Sequence, residues 1–131
     1  MKSTFIISTS ALLMLSLSAL AAEKVIELSE GKFRFNEGKI QLAIKAKNTS
    51  AADKNFKGCA RVFDRDGFEL VKNSLDEFSA APGGTEIMTL TEAGKEEEFK
   101  KIGSLRVYAS PYGCIDGPGE AVSNVLEIKV P

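Results

Sequence analysis

Apolar and polar residues alternate along two stretches of this chain, and this pattern most restricts the folds that it can adopt. In the first stretch the apolar positions, set between lysines and a glutamine, are Ile40, Leu42, Ile44 and Ala46. In the second, Glu127 and Lys129 separate Leu126, Ile128 and Val130. Successive side chains of a strand point to opposite faces, so each stretch predicts a strand with one buried face. We therefore expect packed antiparallel sheets.

Shorter stretches with the same alternation of apolar and polar residues lie between these two strands in the sequence. Further strands are predicted at 59–63, 68–71, 75–78 (a short edge strand), 86–90 and 105–109, and the second stretch belongs to a strand predicted over 124–130. A first strand over 25–28 and 32–35 is expected to break at a Ser29-Glu30-Gly31 turn, and 48–57 reads as a polar loop. About seven short strands separated by turns are typical of an all-β, immunoglobulin-like antiparallel β-sandwich.

Turn and helix signals complete the predicted architecture. Asp66-Gly67 predicts a hairpin and Pro82-Gly83-Gly84 a turn, because glycine accepts positive φ without a Cβ clash. Residues 93–102 predict one short helix, since its acidic residues precede its basic ones, the order that suits a helix dipole. Phe99 and Ile102 are spaced to pack one side of that helix on the sandwich.

The N-terminus reads as a cleavable signal peptide. Lys2 precedes an apolar run from Phe5 to Leu17, and Ala19-Leu20-Ala21 is a small-x-small cleavage site. A permanent anchor would need about 20 predominantly apolar residues, and serines and threonines interrupt this segment. We expect cleavage after Ala21 and a single mature domain over 22–131 with no stable membrane anchor. The short, lysine-led signal favours a bacterial protein that is periplasmic or secreted.

Both cysteines lie in the predicted mature domain. An even number of cysteines in an oxidising compartment indicates a disulfide, here Cys59 with Cys114. The alternative is a redox pair, but redox cysteines usually stand close together as C-x-x-C. In immunoglobulin topology the start of strand 59–63 and the end of strand 105–109 lie at one end of the domain. The sandwich therefore allows this bridge.

Charge and composition exclude several classes of function. The chain of 131 residues has 17 Lys and Arg against 18 Asp and Glu, and removing residues 1–21 takes away only Lys2. A nucleic-acid partner would require a clustered basic excess, which this balance argues against. There is no histidine, the side chain that titrates near neutrality and the commonest metal ligand. We expect a protein that is not an enzyme and needs no cofactor.

Three runs of residues resemble a known family. Leu42 to Ser50, Ala60 to Gly67 and Ala81 to Thr85 are similar to FxLYD-type domains and related bacterial immunoglobulin-like modules. In that family a strand ending in Asn-x-Ser leads to an aromatic-Asp-x-Asp-Gly hairpin and then a Pro-Gly turn. The resemblance covers about residues 40–90. It implies an immunoglobulin-like fold and extracytoplasmic residence, and it brings no catalytic residues.

Two polar groups are candidate sites. Asp64, Asp66 and Glu69 are a candidate calcium ligand set, because hard cations prefer clustered oxygens. Hairpin chemistry explains Asp66-Gly67 equally, and the chain lacks the further ligands of a twelve-residue calcium loop. Asn48-Thr49-Ser50 fits a glycosylation acceptor, with a solvated strand end as the alternative.

The turn-rich loop of residues 110–120 is the candidate binding surface. It carries an aromatic and an aliphatic side chain between two prolines: Pro111, Tyr112, Ile115 and Pro118. A disulfide would hold such a loop rigid, and rigid loops on a scaffold are frequent recognition sites. The alternative is that Tyr112 and Ile115 cap the core.

These observations favour a non-enzymatic binding module that recognises a protein partner, in an inhibitor, immunity or envelope accessory role. A small carbohydrate-binding domain is the alternative, although two tyrosines and no tryptophan supply few aromatic platforms. Metal handling would require a cluster of Met, His or Cys, and Met88 alone does not form one.

Overall fold

The structure is a computed structural model that describes residues 23–131. Its elements in chain order are β1 (Ile26–Asn36), β2 (Lys39–Asn48), β3 (Lys54–Asp64), β4 (Glu69–Ser74), β5 (Phe78–Ala80), β6 (Thr85–Ala93), α1 (Glu96–Lys100), β7 (Ile102–Ser110) and β8 (Leu126–Lys129). Two 3-10 turns, Gly113–Ile115 and Pro118–Glu120, connect β7 to β8. The predicted signal peptide and its cleavage at Ala21 lie outside the described residues.

Two antiparallel sheets face each other, which confirms the predicted all-β sandwich. The smaller sheet has the order β1-β2-β6, and the larger one has the order β4-β3-β7-β8, with β5 also paired to β3. Cys59 pairs with Tyr108 across β3 and β7, and Lys57 pairs with Ser110. The start of β3 and the end of β7 therefore meet at one end of the sandwich, as predicted.

The core lies between the two sheets and follows the alternation of the sequence. On β2, Leu42, Ile44 and Ala46 are buried, and the lysines at 45 and 47 are exposed. From the other strands, Met88 and Val107 complete the centre of the core. Burial of these side chains is the main stabilising term of such a fold. The period-two pattern of the sequence is thus explained by one buried face per strand.

The first strand differs from its prediction. It is continuous over 11 residues, and the predicted turn at Ser29-Glu30-Gly31 is a bulge: the register shifts by one residue between Ser29 and Lys32. Glu30 adopts φ 52°, which accommodates the extra residue. A Cβ on Gly31 would lie 2.5 Å from Cδ1 of Ile128. The turn-forming residues therefore let β1 pack closely against β8 without leaving the sheet.

The helix between β6 and β7 is shorter than predicted. It covers Glu96–Lys100, because Ala93 ends β6 and Ile102 begins β7. Its N-cap residue, Lys95, provides no side-chain cap. Phe99 does pack on the sandwich as expected, with its ring stacked on Phe33 at 5.1 Å between centroids.

Three smaller differences concern strand boundaries. The predicted polar loop 48–57 is shorter, since β3 begins at Lys54 and buries Phe56. The predicted edge strand 75–78 is displaced: Leu75 is a buried residue of the connection, and β5 begins at Phe78. The last strand covers 126–129 instead of 124–130. Among residues 23–131, no helix is long and apolar enough to cross a membrane.

Candidate functional site: the loop between β7 and β8

A disulfide fastens the candidate loop to the larger sheet. Cys59 of β3 is bonded to Cys114, 55 residues further along the chain. Cys59 is fully buried, together with Tyr108 and Ala121 in a small second cluster of the core. The predicted bridge is confirmed, and it attaches the middle of the loop to the scaffold.

Tyr108 provides a second attachment, which the sequence analysis did not predict. Its hydroxyl donates a hydrogen bond to the backbone oxygen of Asp116 at 2.6 Å. The ring is 2% exposed, and this burial raises the pKa of the Tyr108 phenol above its ordinary value. A buried phenol that is neutral and bonded in this way fixes the position of the far side of the loop.

The Asp116 carboxylate closes the loop from inside. Its Oδ2 accepts a hydrogen bond from the backbone N–H of Tyr112 at 2.8 Å, and its own N–H donates to the Gly113 oxygen at 3.2 Å. Asp116 is 8% exposed. Buried polar groups are stabilising only when they are bonded, and here the carboxylate is used to shape the turn that carries Tyr112.

The base of the loop rests on β7 and β4. Ser110 Oγ donates to the Gly113 oxygen at 2.9 Å, and the Cys114 N–H donates to Ser74 Oγ at 3.2 Å. Gly113 has φ 68°, and a Cβ there would lie 2.9 Å from Ser74 Oγ. Only glycine combines this left-handed backbone with so close an approach. The loop is thus a bonded continuation of the sandwich.

The tips of the loop point away from this framework. Tyr112 is 67% exposed and Ile115 is 88% exposed, and Pro111 and Pro118 are exposed beside them. Neither Tyr112 nor Ile115 covers the core, so the capping alternative is wrong. A cavity of about 380 Å³ lies next to the loop, with Pro111 in its wall.

Two of the three candidate calcium ligands, Asp64 and Glu69, have other partners. Asp64 Oδ1 accepts hydrogen bonds from the N–H groups of Asp66 and Phe68, both at 2.9 Å. Glu69 forms an ion pair with Arg61 at 2.8 Å. In residues 23–131, no three His, Cys, Asp or Glu side chains are arranged to hold a metal ion. Hairpin formation therefore accounts for Asp64.

Asn48 has a structural role at the end of the sandwich where β3 begins, opposite to the Asp64 hairpin. Its side chain is fully buried, and its Nδ2 donates to the oxygens of Ala52 and Ala80 at 2.8 and 2.9 Å. An amide enclosed in this way is not accessible as a glycan acceptor in the folded domain. The Asn48-Thr49-Ser50 triplet is explained by its hydrogen bonds, and the alternative of a solvated strand end is also wrong for Asn48.

The position of Tyr108 has a partial signal in the sequence. The alternation along β7 places Leu105 and Val107 in the core and Tyr108 on the opposite face. A tyrosine on that face, directly before a Pro- and Gly-rich loop, has its hydroxyl within reach of the loop backbone.

No family model matches the chain, and no curated protein matches it. Solved structures do. The alkylpurine DNA glycosylase AlkC of Pseudomonas fluorescens, bound to DNA, superposes with a TM-score of 0.51 and 15% identity, over 80% of this chain and 30% of that chain. The β-glucosidase of Kluyveromyces marxianus gives a TM-score of 0.44 and 17% identity, over 81% of this chain and 14% of that chain. The β-glucosidase 3B of Thermotoga neapolitana gives a TM-score of 0.46 and 10% identity, over 80% of this chain and 17% of that chain.

This chain therefore spans less than a third of each of these proteins. At such identities the likeness to the glycosylase concerns the fold alone. The superpositions on the glucosidases are weaker and carry no argument about activity or substrate.

Proposed function

We propose that this chain is a secreted or periplasmic binding module whose loop of residues 110–120 recognises a protein partner. The observation that carries the proposal is the contrast between a fixed loop backbone and its exposed tips. Tyr108, Asp116 and the disulfide fix the backbone, while the loop presents Tyr112 and Ile115 to solvent.

The geometry favours a protein over a small ligand. Small molecules usually occupy concave sites, whereas Tyr112 and Ile115 are exposed to solvent and do not line the cavity beside Pro111. Exposed aromatic and aliphatic anchors of this kind insert into pockets of a partner and dominate interface energies. Because the loop is already ordered, binding loses little conformational entropy.

Export is part of the proposal. Residues 1–21 have the sequence of a signal peptide, and the Cys59–Cys114 bond is of the kind that persists in oxidising compartments. These features support a bacterial periplasmic or secreted location. The inhibitor, immunity or envelope accessory role and the FxLYD-type membership stay predictions.

The proposed role is not catalytic. The chain has no histidine, and Asp116, the buried carboxylate beside the loop, already accepts the Tyr112 N–H. A general acid or base requires a titratable group that can reach a substrate. The two buried titratable groups of this region, Tyr108 and Asp116, hold the loop backbone instead.

Photo-crosslinking tests the proposal in the producing cells. The full chain is expressed with p-benzoylphenylalanine in place of Ile115, and in a matched control in place of Val125, which is 48% exposed. We expect irradiation to give a discrete protein adduct from position 115 and none from position 125. Equal labelling from both positions, or no adduct from either, would contradict the proposal, and an adduct composed of glycan would support the carbohydrate alternative.

A further inference from the structure

The edges of the two sheets are protected unequally. An edge strand exposes unpaired backbone N–H and C=O groups, and proteins protect such edges with bulges, short strands, charges or covering side chains. In this sandwich the edge strands of the smaller sheet are β1 and β6. In the larger sheet one edge is β8, and the other is formed by β4 and β5, which both pair with β3.

Three of these edges are closed in ways that the structure shows. Asn124 covers β1: it accepts the Leu28 N–H at 2.8 Å and donates to the Leu28 oxygen at 3.1 Å. A bulge follows at Ser29 to Lys32. The edge formed by β4 and β5 is interrupted, because β4 has a bulge at Leu70 and β5 has only 3 residues. The remaining edge, β8, has 4 residues.

Among the described residues, the edge of β6 has neither a bulge nor a covering side chain. Its 9 residues pair with β2 from Thr85 to Ala93 without any register shift. Within residues 23–131, no hydrogen bond reaches the other side of this strand. The strand contains neither proline nor lysine. A regular strand of this length offers a complete ladder of backbone groups to an added strand.

The side chains of β6 restrict which strand can be added. Its core-facing row consists of Glu86, Met88, Leu90 and Glu92, opposite Ala46, Ile44, Leu42 and Ile40 of β2. Both glutamates are exposed. Neither of them forms an ion pair with another of the described residues. The edge therefore has an apolar centre between two unpaired negative charges.

This charge pattern opposes full-length pairing of β6 with β6 of a second copy of the chain. An antiparallel pair of β6 strands centred on Thr89 would place Glu86 directly opposite Glu92 at both ends. Like charges at directly opposite positions are destabilising. A strand with basic residues at those two positions would gain attraction instead, and apolar residues between them would pack beside Met88 and Leu90.

We propose that the β6 edge binds an extended segment of a partner protein as the fourth strand of the smaller sheet. The segment has a basic residue at each end and apolar residues at the core-facing positions between them. Its backbone groups pair with β6. On the outer face its side chains lie next to the β-branched row Thr85, Ile87, Thr89 and Thr91, which suits cross-strand packing. This surface is separate from the loop of residues 110–120.

The test uses a synthetic peptide, Lys-Thr-Val-Thr-Val-Thr-Lys, with blocked termini, and an analogue with Glu in place of both Lys. Calorimetry measures the affinity for the mature, oxidised protein, and NMR hydrogen exchange locates the contact. We expect the Lys peptide to bind about tenfold more tightly than the Glu peptide, as two opposite-charge pairs replace two like-charge pairs. Alternate amides of residues 85–93 should gain protection.

Two N-methylated peptides separate backbone pairing from charge attraction. Methylation of the amides at odd positions blocks one edge of the peptide, and methylation at even positions blocks the other. Added-strand pairing predicts that one of the two peptides loses binding and the other keeps it. Equal binding by both, or by the Lys and Glu peptides, would overturn the proposal, as would unchanged exchange of the β6 amides.

Protein variants complete the test. The variant Glu86→Lys/Glu92→Lys changes exposed side chains only and should reverse the preference, so that the Glu peptide binds about tenfold more tightly. The variant Tyr112→Ser/Ile115→Ala should bind the Lys peptide as the wild type does, which keeps this proposal distinct from the proposed function. Concentration-dependent dimerisation of the wild type that protects the β6 amides would show that a second copy occupies the edge, and would overturn the proposal.

Discussion

The Tyr108 hydroxyl lies 2.6 Å from the backbone oxygen of Asp116 and donates a hydrogen bond to it. Tyr108 pairs with Cys59 across the sheet, and Cys59 is bonded to Cys114. The disulfide and the Tyr108 hydrogen bond therefore start from paired residues of one sheet. They end two residues apart in the same loop, at Cys114 and Asp116. Together they attach the loop backbone to the larger sheet at two points.

Removing the hydroxyl should loosen the loop while the rest of the fold stays intact. Tyr108→Phe keeps the buried ring and leaves the Asp116 oxygen without its partner, so the free energy of unfolding should fall by about 1–2 kcal/mol. Amide exchange should accelerate at residues 112–116 and stay unchanged in β2. Urea denaturation and NMR hydrogen exchange measure the two effects, and uniform acceleration over the whole sandwich would contradict a local role.

The same residue should give the protein an alkaline stability limit. Burial raises the pKa of Tyr108 in the folded state, so the phenol ionises first in the unfolded chain, near its ordinary value of about 10. Its contribution to stability is complete below that pH and is lost as the pH rises through the folded-state pKa. The loss of stability between pH 9 and pH 12, measured by urea denaturation, should be smaller in Tyr108→Phe than in the wild type. Identical pH profiles would exclude this role of Tyr108.

The disulfide should contribute a large share of the stability. It closes a loop of 55 residues, and in the chain-entropy model Cys59→Ala/Cys114→Ala should lower the free energy of unfolding by about 4 kcal/mol. Urea denaturation of the variant and of the oxidised wild type gives the difference. A loss below about 1 kcal/mol would mean that the bridge adds little beyond the Tyr108 contact.

Asn48 should be the most sensitive polar residue at this end of the domain. Asn48→Ala leaves the buried oxygen of Ala80 without its donor and should cost about 2–3 kcal/mol. Asn55 is a matched control, because its exposed side chain accepts one bond from Ser79, and Asn55→Ala should change stability by less than about 0.5 kcal/mol. Thermal unfolding distinguishes the two variants, and equal losses would contradict the role given to Asn48.

Local patterns were sufficient to predict the sandwich. A strand with one buried face has an apolar residue at every second position, as at Leu42, Ile44 and Ala46. This pattern is local, so it predicts the strand without information on distant contacts. The disulfide was predictable for a related reason. Once the strands that hold the cysteines were assigned, the topology placed Cys59 and Cys114 at one end.

Features that depend on distant contacts were not predictable. The bulge in β1 follows from the approach of Ile128 to Gly31, two residues far apart in sequence. The bond from Tyr108 to Asp116 depends on how the loop folds back over its own strand. Helix α1 is short because β6 includes Ala93 and β7 begins at Ile102. Strand pairing thus limits the helix at both ends, and only the charged centre of the predicted segment, Glu96–Lys100, is helical.

The exposure of the loop tips also required the three-dimensional structure. In the sequence, Tyr112 and Ile115 fitted both a recognition surface and a cap on the core. Backbone bonds at Asp116 and Gly113 turn both side chains outward, and no sequence pattern distinguishes these two orientations.

The most direct test of the account measures partner capture by the loop tips. Oxidised mature protein and the variant Tyr112→Ser/Ile115→Ala are immobilised at equal density and exposed to the same envelope extract, with Val125→Ala as a control. Truncating two interface anchors should weaken capture of a specific protein by about 30-fold or more, and the melting temperature should not change because both side chains are exposed. Equal capture by the variant and the wild type, or no protein retained by the wild type, would contradict the account.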